Sequence, residues 1–303
     1  MTELKRMVPA DANPLEAAAW MAGAIVSFSA MAVAGREVSL ELDTFEIMTY
    51  RSLVGVVLVL IGASALGTLR EVSTRRFGLH VVRNVFHFTG QNLWFFAIAT
   101  APLAQVFALE FSAPIWVALA APFVLSERLT RTRLIAALVG FAGILIVARP
   151  DMSGLAPGLL PAALAAFGFA GSILTTKILT RTATITCILF WLTSMQAVFG
   201  LVCAGLDGSI ALPSAGNLPW IGVIGLAGLM AHLCLTTALS VAPATLVVPF
   251  DFLRLPVIAA VGMLMYAEPV ALSVAVGAAL ICGANYLNVY AERRRRTGLV
   301  AQR

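Results

Sequence analysis

Residues 101–129 read APLAQVFALEFSAPIWVALAAPFVLSERL, and residues 242–270 read APATLVVPFDFLRLPVIAAVGMLMYAEPV. Both stretches are long and apolar, and both open on Ala-Pro. Each buries one carboxylate, Glu110 or Asp251, in an otherwise apolar run. Ala242-Pro243 follows Ala101-Pro102 by 141 residues (242 − 101). Asp251 follows Glu110, Phe252 follows Phe111 and Glu268 follows Glu127 at the same distance. The shift reaches beyond the two stretches, relating Phe28 to Phe169, Arg36 to Lys177 and Ala97 to Ala238. One ungapped repeat therefore relates two halves of the chain, and it blurs only toward the end of each half.

The chain has 303 residues, of which 60% are hydrophobic and 12% charged. A soluble domain carries about a quarter charged residues, so this balance indicates a polytopic membrane protein. A spanning helix needs about 20 apolar residues. Ten segments qualify: 16–35, 45–66, 77–99, 102–125, 132–148, 157–177, 184–206, 217–239, 243–266 and 270–290. Strand-like alternation is absent from the sequence, which argues against a β-barrel. The N-terminal MTELKRMVPADANPLEAAAW has Asp11 and Glu16 where a signal peptide would join a basic end to an apolar core. The first span is therefore expected to be retained. The four cysteines lie inside apolar segments with no ligand spacing, and read as small buried hydrophobes.

The links between spans set the orientation. Arg70, Arg75 and Arg76 follow span 2, Arg128, Arg131 and Arg133 follow span 4, and Lys177 and Arg181 close span 6. Arg293 to Arg296 follow span 10 and read as an anchor at an anionic leaflet rather than a nucleic-acid arm. The alternate links carry Glu37, Glu41, Asp43 and Glu46, or Asp151, or Asp207. This asymmetry puts both termini, residues 1–15 and 291–303, in the cytoplasm. Each half holds five spans, 16–148 and 157–290, so the second copy enters the membrane upside down. The fold expected is an all-α polytopic membrane protein of ten transmembrane helices in two inverted five-helix repeats, an architecture of transporters with the site near the midplane.

Ionisable residues at membrane depth face a cavity or a partner. Glu110 lies about 12 Å into span 4 at a rise of roughly 1.5 Å per residue, and Asp251 lies equally deep in span 9 from the other side. Asp251 has Arg254 one turn on, whereas Ala113 stands at the matching place after Glu110. Glu110 is therefore expected to be unpaired along its own helix. In span 3, His80, Asn84, His87 and Gln91 form one helical face flanked by Arg83 and Trp94. His87 and Gln91 are the candidate donors to a ligand; His80 and Arg83, near the cytoplasmic end, could simply snorkel to the interface, and Arg83 or Arg254 could receive the carboxylate end of a zwitterion. The stripe has only one echo in the second half, Gln91 matching His232. Ser29 adds a hydroxyl in span 1, and Arg51 in span 2 has either Glu46 or Glu110 as a partner. Pro114 and Pro256 interrupt the two carboxylate spans and are the candidate hinges. The candidate cavity is thus Glu110, His87, Gln91, Trp94, His232, Asp251, Arg254 and Ser29. The spacing offers no catalytic pair, no metal site and no cofactor motif.

The run 101–150, with its Ala-Pro before a bent helix, Pro-x-Trp core, Ser-Glu-Arg-Leu turn and Gly-Phe-Ala-Gly helix, resembles the end of an EamA domain of the drug/metabolite transporter superfamily. The resemblance recurs in TTALSVAPATLVVPFDFLRLP and YAEP. It implies ten helices in two inverted repeats, a central cavity, and movement of small metabolites across the inner membrane. It also maps the family's turn glutamate onto Glu127 and Glu268, which read as architectural. The first expectation for function is a secondary transporter exporting amino acids or related compounds by alternating access. An uptake or exchange carrier for a larger nucleoside-like or anionic metabolite is the alternative, ranked lower for want of unpaired cavity cations. An intramembrane enzyme is the reading from another class. The expected partners are a small metabolite and the lipid bilayer, without nucleic acid, and a homodimer is left open.

Overall fold

A computed structural model describes residues 13–101, 103–127, 130–148, 157–206, 208–266 and 272–300. Every regular element among them is helical: α1 (Pro14–Val38), α2 (Thr44–Ala65), α3 (Phe77–Thr100), α4 (Leu103–Glu110), α5 (Ala113–Val124), α6 (Arg131–Ala148), α7 (Leu159–Leu179), α8 (Ile185–Ala204), α9 (Leu218–Val241), α10 (Ala244–Val247), α11 (Arg254–Tyr266) and α12 (Leu272–Val300), with 3₁₀ turns at Leu69–Glu71 and Val248–Leu253. The helix starts follow the local chemistry. Asp43 and Glu46 form a reciprocal capping box at α2, with bonds of 2.8 and 2.9 Å. The Thr184 hydroxyl accepts from Cys187 N at the start of α8.

Five helices, α1, α2, α7, α8 and α9, are long and apolar enough to cross a membrane by length and composition. Their apolar residues point outward as well as inward, as on the exposed Leu53, Val57, Leu60 and Ile61 of α2. A helix apolar all round is built for lipid or a deep core. The 24-residue α3 is as long but more polar, and its His80, Arg83, Asn84, His87 and Gln91 are all buried. Its polarity therefore meets other helices. The snorkelling open to His80 and Arg83 does not occur, because the stripe continues on the face that packs inward.

The two carboxylate spans differ from the continuous, kinked helices expected. Span 102–125 is broken at Phe111–Ser112 between α4 and α5. Span 243–266 passes from α10 through a six-residue 3₁₀ segment into α11. Pro114 is the second residue of α5 and Pro256 the third of α11, so both stand in a first turn, where a missing N–H costs no helical bond. They begin segments rather than bend them. α12 runs to Val300, so much of the expected C-terminal tail is helical. Pro102, Arg128, Asp151, Asp207 and Glu268 lie outside the described residues, as do residues 1–12.

Helix α1 packs on α9, α3 on α7, α2 on α8 and α6 on α12. Each pair joins one half of the chain to the other. At the α3–α7 crossing, a Cβ on Gly168 would come within 2.7 Å of Gly90 Cα, so backbone meets backbone there. The links gather at two ends. At one, Glu41 accepts from the Ser214 amide and hydroxyl (2.7 Å) and from Asn217, while Glu46 accepts from Ala211 N at 2.6 Å. These donors, the Ser214 hydroxyl foremost, hold the Glu41 carboxyl below its usual range. At the other end, Trp191 Nε1 donates to Ser73 O, Lys177 Nζ to Leu239 O and Ala242 O, and Arg181 to Leu125 O. Glu127 there accepts from Ala244 N, Thr245 N and Thr245 Oγ1 and caps α10, an architectural role. The links at 66–76, 125–127 and 180–184 thus share an end, opposite the acidic 39–43. Among the cysteines, Cys187 and Cys234 are buried as expected, but Cys282 is exposed on an outward face of α12.

Candidate functional site

Two broken helices and the polar face of α3 meet around one cavity. At one end, Glu110 is the last residue of α4, Asp251 sits in the 3₁₀ segment and Arg254 opens α11. A break in a helix lets side chains from both flanking turns converge, which a straight helix cannot do. Arg254 Nη2 donates to Asp251 Oδ2 at 3.1 Å and also to Glu110 Oε1. The indole Nε1 of Trp94 donates to the other Glu110 oxygen at 2.6 Å. The guanidinium lies over Phe28, Phe107 and Phe111, with ring centroids at 5.3, 5.8 and 4.8 Å.

This corrects the expectation of an unpaired Glu110. Its partner is not one turn along its own helix but on the other half of the chain. The cluster holds two carboxylates against one guanidinium, so one acid is left over if all three are ionised. Asp251 is the more open member, with a quarter of its side chain exposed and Oδ1 without a partner.

The other end is basic. Arg83 is 2% exposed and lines the cavity, where its Nε donates to Thr176 Oγ1 at 3.2 Å and its Nη1 to Asn84 Oδ1 at 3.1 Å. Asn84 is held in turn by Gln196 Nε2 and donates to His80 O at 2.8 Å. Arg51 is buried and pairs with neither Glu46 nor Glu110; its Nη1 points at Met31 Sδ, 3.7 Å away. It lines a smaller cavity that shares His232 with the large one. Neither Arg83 nor Arg51 has a carboxylate partner among the described residues. A buried cation without a carboxylate partner, Arg83, therefore stands at the large cavity and a second, Arg51, at the smaller one beside it, contrary to the sequence expectation.

Between the ends, His87 and His232 meet edge to face at 4.6 Å, with Phe28 and Phe169 beside them. His87 Nε2, Gln91 Nε2 and both His232 nitrogens are buried with no hydrogen-bond partner. Buried donors and acceptors left open in this way are costly unless a ligand or water meets them. Glu110, His87, Gln91, Trp94, His232, Asp251, Arg254 and Pro114 all line the cavity. Ser29 and Pro256 do not; Ser29 is buried one residue beyond the lining Phe28, turned about 100° away on its helix. Sequence reasoning passed over the aromatic walls, Phe28 and Phe169. Their match across the 141-residue shift was the signal that could have found them.

The sequence matches the EamA-like transporter family over residues 15–149. It is 34% identical over 220 residues to a protein named riboflavin transporter from Brucella anthropi, covering 71% of this chain and 78% of that one. It is 26% identical over 276 residues to an S-adenosylmethionine uptake transporter from Rickettsia bellii, covering 91% of this chain and 94% of that one. In fold it is similar to a protein of known crystal structure, with a TM-score of 0.77 at 19% identity over 92% of this chain and 98% of the other. The relatives are transporters by name, and the chain belongs to the EamA-like transporter family.

Proposed function

We propose that the chain is a secondary transporter for the uptake of a ring-bearing metabolite of nucleoside or flavin size across the inner membrane. The cavity carries this reading. Its Phe28, Trp94 and Phe169 walls and its polar ends suit a flat heterocycle with substituents at both sides. The amino-acid exporter expected first gives way to the uptake alternative. The names of the two relatives, one for riboflavin and one for S-adenosylmethionine uptake, support the same choice.

The cycle proposed is alternating access of two inverted five-helix halves, residues 16–148 and 157–290, with both termini cytoplasmic. The repeat shift supports it, because it carries the α1–α9 pair onto α7–α3 and returns α2–α8 and α6–α12 onto themselves. The breaks at Phe111–Ser112 and Val248–Leu253 are the gating points, with Pro114 and Pro256 fixing the helix starts after them. Energy comes from solute or ion gradients. The test is uptake of radiolabelled riboflavin, S-adenosylmethionine and a panel of amino acids into proteoliposomes. The expected result is saturable uptake of a ring compound that unlabelled ring compounds suppress. Accumulation of amino acids alone would sink the proposal.

A further inference from the structure

The basic end of the cavity has a consequence for the substrate. Arg83 holds five N–H donors in a fixed fork. Two neutral acceptors, Thr176 Oγ1 and Asn84 Oδ1, answer two of its nitrogens. One turn along α3 lies His87, whose Nε2 is open, and across from it His232, whose two nitrogens are open. No carboxylate among the described residues balances Arg83 or Arg51, although a buried cation normally has an anion beside it. The neutral acceptors fix the fork without neutralising it. The geometry points to an oxyanion subsite: Arg83, with His87 beside it, receives a carboxylate or phosphate of the transported molecule.

The subsite also sets the length of the ligand. Trp94, which touches Glu110, is eleven residues beyond Arg83 on α3, or about 16 Å along the axis. The acid end, with its leftover carboxylate on Asp251, favours a cation or a row of N–H and O–H donors. The substrate class is therefore a heterocycle with an oxyanion at one end and a cationic or donor-rich group at the other. This rests on the ring-compound reading above, and the test separates the two.

Purified protein is titrated with matched pairs that differ in the anion: S-adenosylmethionine against its decarboxylated form, and riboflavin against its 5′-phosphate. Quenching of intrinsic tryptophan fluorescence and thermal stabilisation report binding, and benzoate and inorganic phosphate are run alone at millimolar concentration. The carboxylate pair and the phosphate pair tell which oxyanion is preferred. In the wild type, at least one oxyanion-bearing member is expected to bind tenfold or more tighter than its partner. Arg83→Gln abolishes that preference but not binding of the partner that lacks the oxyanion, and Arg83→Lys, which keeps the charge, retains part of it. Equal binding within both pairs, or a preference that survives Arg83→Gln, overturns the subsite. If no ring compound binds, the ring-compound reading falls and the small anions decide. Stabilisation of the wild type and of Arg83→Lys, absent in Arg83→Gln, supports the subsite; none in the wild type overturns it.

Discussion

Replacing Arg254 by Gln is the sharpest test of how the acid cluster is held together. Arg254 is the cation that the described structure places against both Glu110 and Asp251. Its loss leaves two carboxylates facing each other without a countercharge. Removing one partner of a buried ion pair costs about 3–5 kcal/mol. Glu110→Gln should cost only about 1 kcal/mol, because Arg254 keeps Asp251 and a Gln oxygen still accepts from Trp94. In the double variant, Asp251 alone stays charged, and its side chain is 24% exposed and open to water. The double variant should therefore be more stable than Arg254→Gln alone, although it carries more changes. At roughly 2–4 °C per kcal/mol, Arg254→Gln lowers the midpoint of thermal unfolding in detergent by about 6 °C or more. The expected order is wild type, Glu110→Gln, double, Arg254→Gln. A single Arg254→Gln within about 2 °C of wild type, or a double variant less stable than it, would refute the bridging role.

Gly168→Ala places a Cβ within 2.7 Å of Gly90 Cα, where no side chain can give way. The α3–α7 crossing must then open, at about 1–3 kcal/mol for overpacking, and the loss should appear as a lower unfolding midpoint that Gly62→Ala, at a site open to space, does not share. Glu41 gives a pH signature. Its folded pKa is depressed, so its contribution is present above the ordinary carboxylate value near 4 and lost as pH falls through the lower folded value. The unfolding midpoint of Glu41→Gln should therefore fall less than that of the wild type as the solution is taken from neutral pH to acid.

Much of the frame was legible in the sequence because it depends on length and period. The helix limits lie within a few residues of the apolar runs, apart from α12, and the stripe on α3 is buried as its spacing of four, three and four requires. The helix breaks were not legible. Proline marks a place where the backbone is free to change, but a bend and a break follow equally from it, and only packing chooses. The partner of Glu110 was missed because the search stayed on one helix, at i+3. Yet Arg254 is that same one-turn neighbour carried through the 141-residue shift, 144 residues from Glu110. Under the proposed two-fold, groups near the axis lie close together, so an arginine that reaches one can reach both. The repeat already contained that answer. The snorkelling option for Arg83 failed for a different reason, since depth along a helix says nothing about which face is covered.

The frame repeats and its chemistry does not, and the difference bears on how a ligand would lie. Gln91 is matched by His232, but Arg83 is matched by Ile224, and Arg254 by Ala113. If each half carried the same charges, a dipolar ligand would have two equivalent orientations, related by the two-fold proposed to relate the halves. The lone Arg83 and the two-acid, one-base cluster remove that degeneracy. An oxyanion turned toward Asp251 would meet a like charge, while the same group at Arg83 meets an unbalanced cation. In a desolvated cavity such a contrast exceeds the few tenths of a kcal/mol that a solvated pair would give. The proposed symmetric halves would let the cavity open to either side, and their unequal side chains would keep the ligand in one orientation while it does.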